Sequence, residues 1–220
     1  DMGNASRFAR QNVGNLLHVF QWGWLRWDGR RWVRDETGTV MRAAKHTAAT
    51  LLEDERAIEA EARPMVADLK TAKEAHDVTK IEKLEDALEN IQARAEAARR
   101  WALKSQGASR LRAMIALAES ESPLVSQTEA FDAVPWLFNV ENGTLDLRTG
   151  RLEAHDPSNR ITRLAGTYWD PDAQCPRWRR FLQEIFDHNA SVIEFVQRRM
   201  GYSLSGITSE QEFVLLYGKG

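Results

Sequence analysis

The 220-residue chain sets 30 Lys+Arg against 32 Asp+Glu, a formal net charge of -2 at pH 7. That excludes a whole-protein positive field, so any affinity for nucleic acid must come from local patches. The single cysteine, Cys175, excludes an internal disulfide framework and suits a reducing cytoplasm. No apolar run approaches the roughly 20 residues of a membrane helix. The histidines (His18, His46, His76, His155, His188) never fall beside a second His or Cys at a ligand spacing. Neither a membrane nor a metal partner is therefore expected. Asp1 and Met2 are followed by polar Gly3-Asn4-Ala5-Ser6, unlike a signal peptide, which reads as an internal piece of a longer protein.

The first element is a short amphipathic segment, Asn4 to Leu17. "WGWLRWDGRRWVRDETG" follows, two aromatic runs around Asp28-Gly29, as in a β-hairpin. A two-residue turn at Asp28-Gly29 would set Arg26 against Arg31, so the charges favour a three-residue loop, Asp28-Gly29-Arg30, with Arg26 opposite Trp32. The tryptophans either pack on their own domain or offer faces to nucleic-acid bases beside the arginines.

Residues 40–119 read as helix almost throughout, with Pro64 interrupting one stretch and "HDVTK" turning the chain between two arms. Thr79 and Glu82 form a capping-box pattern at the start of the second arm. Ile81, Leu84, Leu88, Ile91, Ala95 and Ala98 then recur at coiled-coil spacing, facing Ile58, Met65 and Leu69 of the first arm or, alternatively, another subunit. From Ala97 to Ala118 the chain carries Arg99, Arg100, Lys104, Arg110 and Arg112 and no acidic residue. Gly107, within "KSQGAS", should break the helix there and open a new one, a usual place for a phosphate. The basic residues either meet nucleic acid or complement the end of a long helix.

Beyond "ESESP", turn signals punctuate short apolar runs, predicting an antiparallel meander with strands near Leu137–Val140, Thr144–Arg148, Arg151–His155 and Ile161–Leu164. Residues 176–206 return to helix, with Pro176 in a first turn and Cys175 expected as a buried thiol. Asp132, Asp146 and Asp156 sit at turns rather than in a catalytic carboxylate cluster. Glu212–Tyr217 reads as a buried strand entering Gly218-Lys219-Gly220, the way a phosphate-binding loop begins.

Four strings in order, "GNASRF…WGWLRWDGRRW", "NVENGTLDLRTGRLEAHDP", "DPDAQCPRWRRFL" and "RRMGYSLSGITSEQEFVLLYGKG", resemble the phage and plasmid primase-helicase family. More narrowly they resemble its poxvirus-type primase amino-terminal domain, which precedes a superfamily 3 helicase motor. The resemblance covers most of the chain apart from about residues 53–97. It implies a DNA-replication protein whose parent is a hexameric AAA+ ATPase using ATP and Mg. Gly218, Lys219 and Gly220 would be an incomplete opening of the Walker A loop. The chain itself would be non-catalytic and hold no cofactor.

The expected fold is α+β and predominantly helical: a Trp-rich N-terminal hairpin, a protruding helical hairpin at 53–97, a small meander and C-terminal helices. Residues 1–208 would form an accessory domain and 209–220 the start of the motor. Expected partners are single-stranded or forked DNA, the protein's own primase and helicase domains, and further copies of itself. Charge and pattern nominate Arg26, Arg30, Arg31, Arg34, Arg99, Arg100, Lys104, Arg110 and Arg112 for phosphates, with Trp27, Trp32 and Trp101 as candidate stacking platforms. The alternative role is an oligomerisation collar without direct DNA binding.

Overall fold

The structure, a computed structural model, describes residues 2–215 and 217. The chain divides into two compact units, residues 1–26 with 34–126, and residues 27–33 with 127–220. It is α+β and predominantly helical.

In the first unit, α1 (Met2–Gln11) turns into β1 (Leu16–Val19). β1 pairs antiparallel with β2 (Gly23–Trp27), with Leu17 opposite Leu25. The chain then forms the hairpin into β3 (Trp32–Arg34). Helix α2 (Thr39–Glu74) and helix α3 (Val78–Ser105) make a long antiparallel hairpin, followed by α4 (Ala108–Ala118) and β4 (Val125–Ser126). β4 lies parallel to β1, His18 opposite Val125. β1 and β4 were not expected: Leu16 and Leu17 fall in the segment read as amphipathic, and the two residues of β4 are too few for a period to show. The core gathers Phe8, Leu16, Ala44, Ala48, Leu111, Met114 and Leu124 from α1, β1, α2 and α4 and the turn before β4. Outside it, Asp35 reaches back to the start of α2. Its carboxylate accepts the Thr39 and Val40 N–H groups at 2.9 and 2.8 Å, satisfying donors that open any helix.

Two helical details differ from expectation, and the seam follows it. α2 runs unbroken through Pro64. That residue is exposed, so water can satisfy the Ala60 carbonyl that loses its partner. The cap of α3 is Asp77, whose side chain accepts the Lys80 N–H at 3.1 Å, and Thr79 already lies inside the helix. The seam is intramolecular: Ile91 and Ala95 of α3 and Ala72 of α2 are buried, with ion pairs Lys73–Glu85 and Arg94–Glu61 at 2.8 and 2.9 Å between the arms.

In the second unit, β5 (Leu137–Val140), β6 (Gly143–Asp146) and β7 (Arg151–Glu153) form an antiparallel meander. Residues 161–164 do not join it as a strand. They are tied down singly, the Ile161 carbonyl by the Trp32 N–H at 2.8 Å and the Thr162 N–H by Asp132 at 2.8 Å. Gly143 has no room for a side chain: a Cβ there would meet the Glu153 carbonyl oxygen at 2.4 Å. Helices α5 (Pro176–Ile185) and α6 (Ala190–Leu204) follow. Cys175, expected to be buried, is exposed; it precedes a surface helix of which only Leu182 is buried. Residues 212–215, expected as strand, form none, and Phe213 is 90% exposed. A strand exists only through ladder bonds to a neighbour, and no described strand pairs with these residues.

Candidate nucleic-acid interface

Helical period decides which residues of the basic stretch face outwards. At the end of α3, Ala95, Ala102 and Ser105 are buried at spacings of seven and three, which turns Arg99, Arg100, Leu103 and Lys104 to solvent. Gly107 ends this run in extended conformation, φ -64° and ψ 141°, and α4 restarts one residue later with no side-chain cap. The junction is pinned from inside, because the amide of buried Asn4 donates to the buried Ser105 hydroxyl at 3.0 Å. Neither residue stood out in the sequence, since their pairing across 101 positions has no local signature.

The patch holds less uncompensated charge than its composition promises. Arg100 pairs with Glu96 one turn back at 3.3 Å, and Arg99 approaches Glu55 of α2 at 4.0 Å. The first contact is readable as an i,i+4 pair; the second depends on how the arms pack. The Arg110 guanidinium lies over the Trp101 ring at 5.7 Å, spanning the α3–α4 junction. Trp101 is 38% exposed. Lys104 and Arg112 are exposed and form no ion pair among the described residues. The arrangement thus offers two free cations, two more in exposed and exchangeable pairs, and an indole beside them.

The hairpin arginines are placed differently. The Asp28 N–H donates to the Arg31 carbonyl at 3.1 Å, which makes Gly29-Arg30 the connection rather than a three-residue loop. Gly29 takes φ 98°, and the Asp28 carboxylate accepts the N–H groups of Arg30 and Arg31, both at 2.8 Å. Local side-chain bonding therefore overrides the charge argument for Arg26 opposite Trp32, and the ring of Trp27 lies beside Trp32 at 5.7 Å. Arg30 is paired with Glu141. Arg31 lies 3.7 Å from Asp28 and donates weakly to the Thr162 carbonyl. Arg26 is half-buried with an unpartnered Nε, and Arg34 is exposed.

Trp32 is no stacking platform. It is 2% exposed, packs edge-on to Phe131 and donates its indole N–H to the Pro157 carbonyl at 2.8 Å. A tryptophan with its faces covered and its one donor satisfied is a core residue.

The "NVENGTLDLRTGRLEAHDP" string turns out to build the frame of this unit. The buried Asn139 amide donates to the Arg30 and Arg163 carbonyls at 2.9 and 3.0 Å and accepts from Thr144 at 3.0 Å. Asn142 brackets the Trp169 backbone, donating to its carbonyl and accepting its N–H, each at 2.9 Å. Arg148 bonds beside Asp146 hold that carboxyl below its usual range, and Ser158 does the same for Asp156. These acids are occupied with turns. Among the described residues no group of three or more His, Cys, Asp or Glu could hold a metal, and no helix is long and apolar enough to cross a membrane. Gly218, Lys219 and Gly220 lie outside the described residues.

A protein-family model described as D5 N terminal like matches residues 5–187. The chain belongs to that family. It is an N-terminal domain of D5-like primase-helicase proteins, and the match spans both units' defining pieces, from α1 through the helical hairpin and meander to α5. No curated protein shows a significant match to the chain.

Proposed function

We propose that this D5 N terminal-like chain is a non-catalytic part of a replicative primase-helicase that contacts DNA and couples a primase part to a superfamily 3 helicase ring. The observation that carries the reading is the α3–α4 junction. There a protein of nearly balanced charge turns a stretch with no acid outwards, beside a half-exposed tryptophan and an uncapped helix start. ATP and Mg would act in the parent motor, whose lysine and magnesium positions carry phosphoryl transfer. In this reading residues 1–208 form the accessory domain and residues 209–220 lead into the motor.

Fluorescence anisotropy of labelled single-stranded and forked DNA across a salt series tests the reading. Affinity should fall linearly in log salt, and replacing Arg99, Arg100, Lys104, Arg110 and Arg112 with Glu should abolish it. Absence of binding at low salt would overturn the DNA role. The collar then becomes the better account, but on a surface other than the α2–α3 seam, which is already filled within the chain. Exposed Phe195, Met200 and Leu204 on α6 would supply that surface, and a concentration-dependent mass would reveal it.

A further inference from the structure

Among the described residues of the second unit, the most concentrated run of cations without an ion pair lies on α5, outside every residue nominated from the sequence. Arg177, Arg179 and Arg180 fall within four positions at the start of this helix, with no acidic residue in the first turn. All three are exposed, and none makes an ion pair or side-chain hydrogen bond among the described residues. Arg151 and Arg163 of this unit likewise meet no carboxylate among the described residues, but five of its other arginines do. Arg30, Arg31, Arg148, Arg198 and Arg199 each face a carboxylate, on Glu141, Asp28, Asp146, Glu194 and Glu212 respectively.

The position is also costly. The start of a helix carries partial positive charge, so three cations there oppose the helix dipole rather than complement it. A local rule broken three times without an internal partner points to a partner outside the fold. Between the arginines, Trp178 stacks on Phe181 with ring centroids 5.6 Å apart and planes 28° from parallel. Phe181 is 47% exposed, whereas Leu182 on the inner side is buried and anchors the helix. Guanidinium groups match phosphate oxygens in geometry and charge, and the exposed Phe181 ring, backed by half-buried Trp178, offers a face to unstacked bases.

We infer that Arg177, Arg179 and Arg180 with the Trp178–Phe181 pair form a second nucleic-acid contact, for the phosphates and bases of single-stranded DNA. The inference rests on the DNA-contacting reading of the chain but names a different surface, so the two can fail separately.

The test is anisotropy of a labelled oligothymidine and a labelled hairpin duplex, titrated with four forms of the full 220-residue chain. These are the unaltered chain, the R177A/R179A/R180A variant, the F181A variant, and the α3–α4 charge reversal described above. Thermal unfolding of each confirms that it folds. With three phosphate-binding cations removed, the slope of log affinity against log salt for the single strand should shrink by about 2. F181A should weaken oligothymidine about tenfold, as loss of one stacked base does, and leave the duplex within about twofold. An unchanged slope in the triple variant overturns the inference. If the α3–α4 reversal abolishes binding in the same series, the proposed function stands without it. If the triple variant loses its slope while the α3–α4 reversal binds normally, α5 is the contact and the α3–α4 assignment falls. A chain that binds neither probe at low salt overturns both.

Discussion

The hairpin tip and the α3–α4 junction both concentrate arginine and tryptophan, yet they use them in opposite ways. At the tip, Trp32 is buried, Arg30 is paired with Glu141, and Arg31 leans on Asp28 and the Thr162 carbonyl. At the junction, Lys104 and Arg112 are free of ion pairs among the described residues and Trp101 is open on one side. The difference lies in what surrounds each segment. The tip is enclosed by the meander, whose Asn139 and Glu141 reach its backbone and side chains. The junction lies at the outer turn of a helix whose inner face is already filled by Ala102 and Ser105. Local density of cations and aromatics therefore measures capacity for binding, and the packing around it decides whether that capacity is used up within the fold.

The two tryptophans should differ most in what they contribute to stability. Trp32→Ala should destabilise the protein by about 3–5 kcal/mol, the usual cost of removing a buried large aromatic, read from denaturant unfolding. Trp101→Ala should leave stability within about 0.5 kcal/mol, as at ordinary surface sites. Equal costs would show that the two tryptophans do the same job.

A smaller effect is expected at Asp35, which joins the hairpin to α2. Asp35→Ala should cost about 1 kcal/mol, as loss of a helix-capping carboxylate does. Burial alone would raise the pKa of this carboxyl, but N–H donors from Val40, Thr39 and Thr37 outweigh it and hold the folded value below the ordinary one. A depressed folded pKa means the contribution is complete above the unfolded value of about 3.9. It is lost as pH falls through the folded value. Unfolding measured from neutral to acid pH should therefore show the gap between the natural chain and the variant closing at the acid end. A gap that persists there would show that the carboxylate charge is not what caps α2.

The smallest change is Glu141→Gln, which removes the charge partner of exposed Arg30 and should cost between about 0 and 1 kcal/mol. It should also release Arg30 and raise affinity for oligothymidine slightly if the tip can be recruited to DNA. Unaltered affinity would confine binding to the junction and α5.

Much of the helical architecture was written in local pattern. The two long arms, the break at Gly107 and the pair of C-terminal helices follow from period, propensity and glycine or proline punctuation, which act over a few residues. The hairpin and the three strands of the meander were legible for the same reason. β1 and β4 were not: the start of β1 merges into an amphipathic segment, and two-residue β4 exists only through its parallel pairing to β1. The strand expected at Glu212–Tyr217 went the other way, with a strong apolar pattern but no described ladder to join.

Where helices run, where they break and where positive charge is dense can be read from the residue order, since these depend on contacts within one or two turns. Which of that charge is left without an ion pair follows from the packing of distant segments. Arg30 is answered by a glutamate 111 positions away, and Ser105 is fixed by an asparagine 101 positions away. Arg177, Arg179 and Arg180 meet no carboxylate at all among the described residues. Pairing across such separations depends on three-dimensional proximity, which no local pattern encodes.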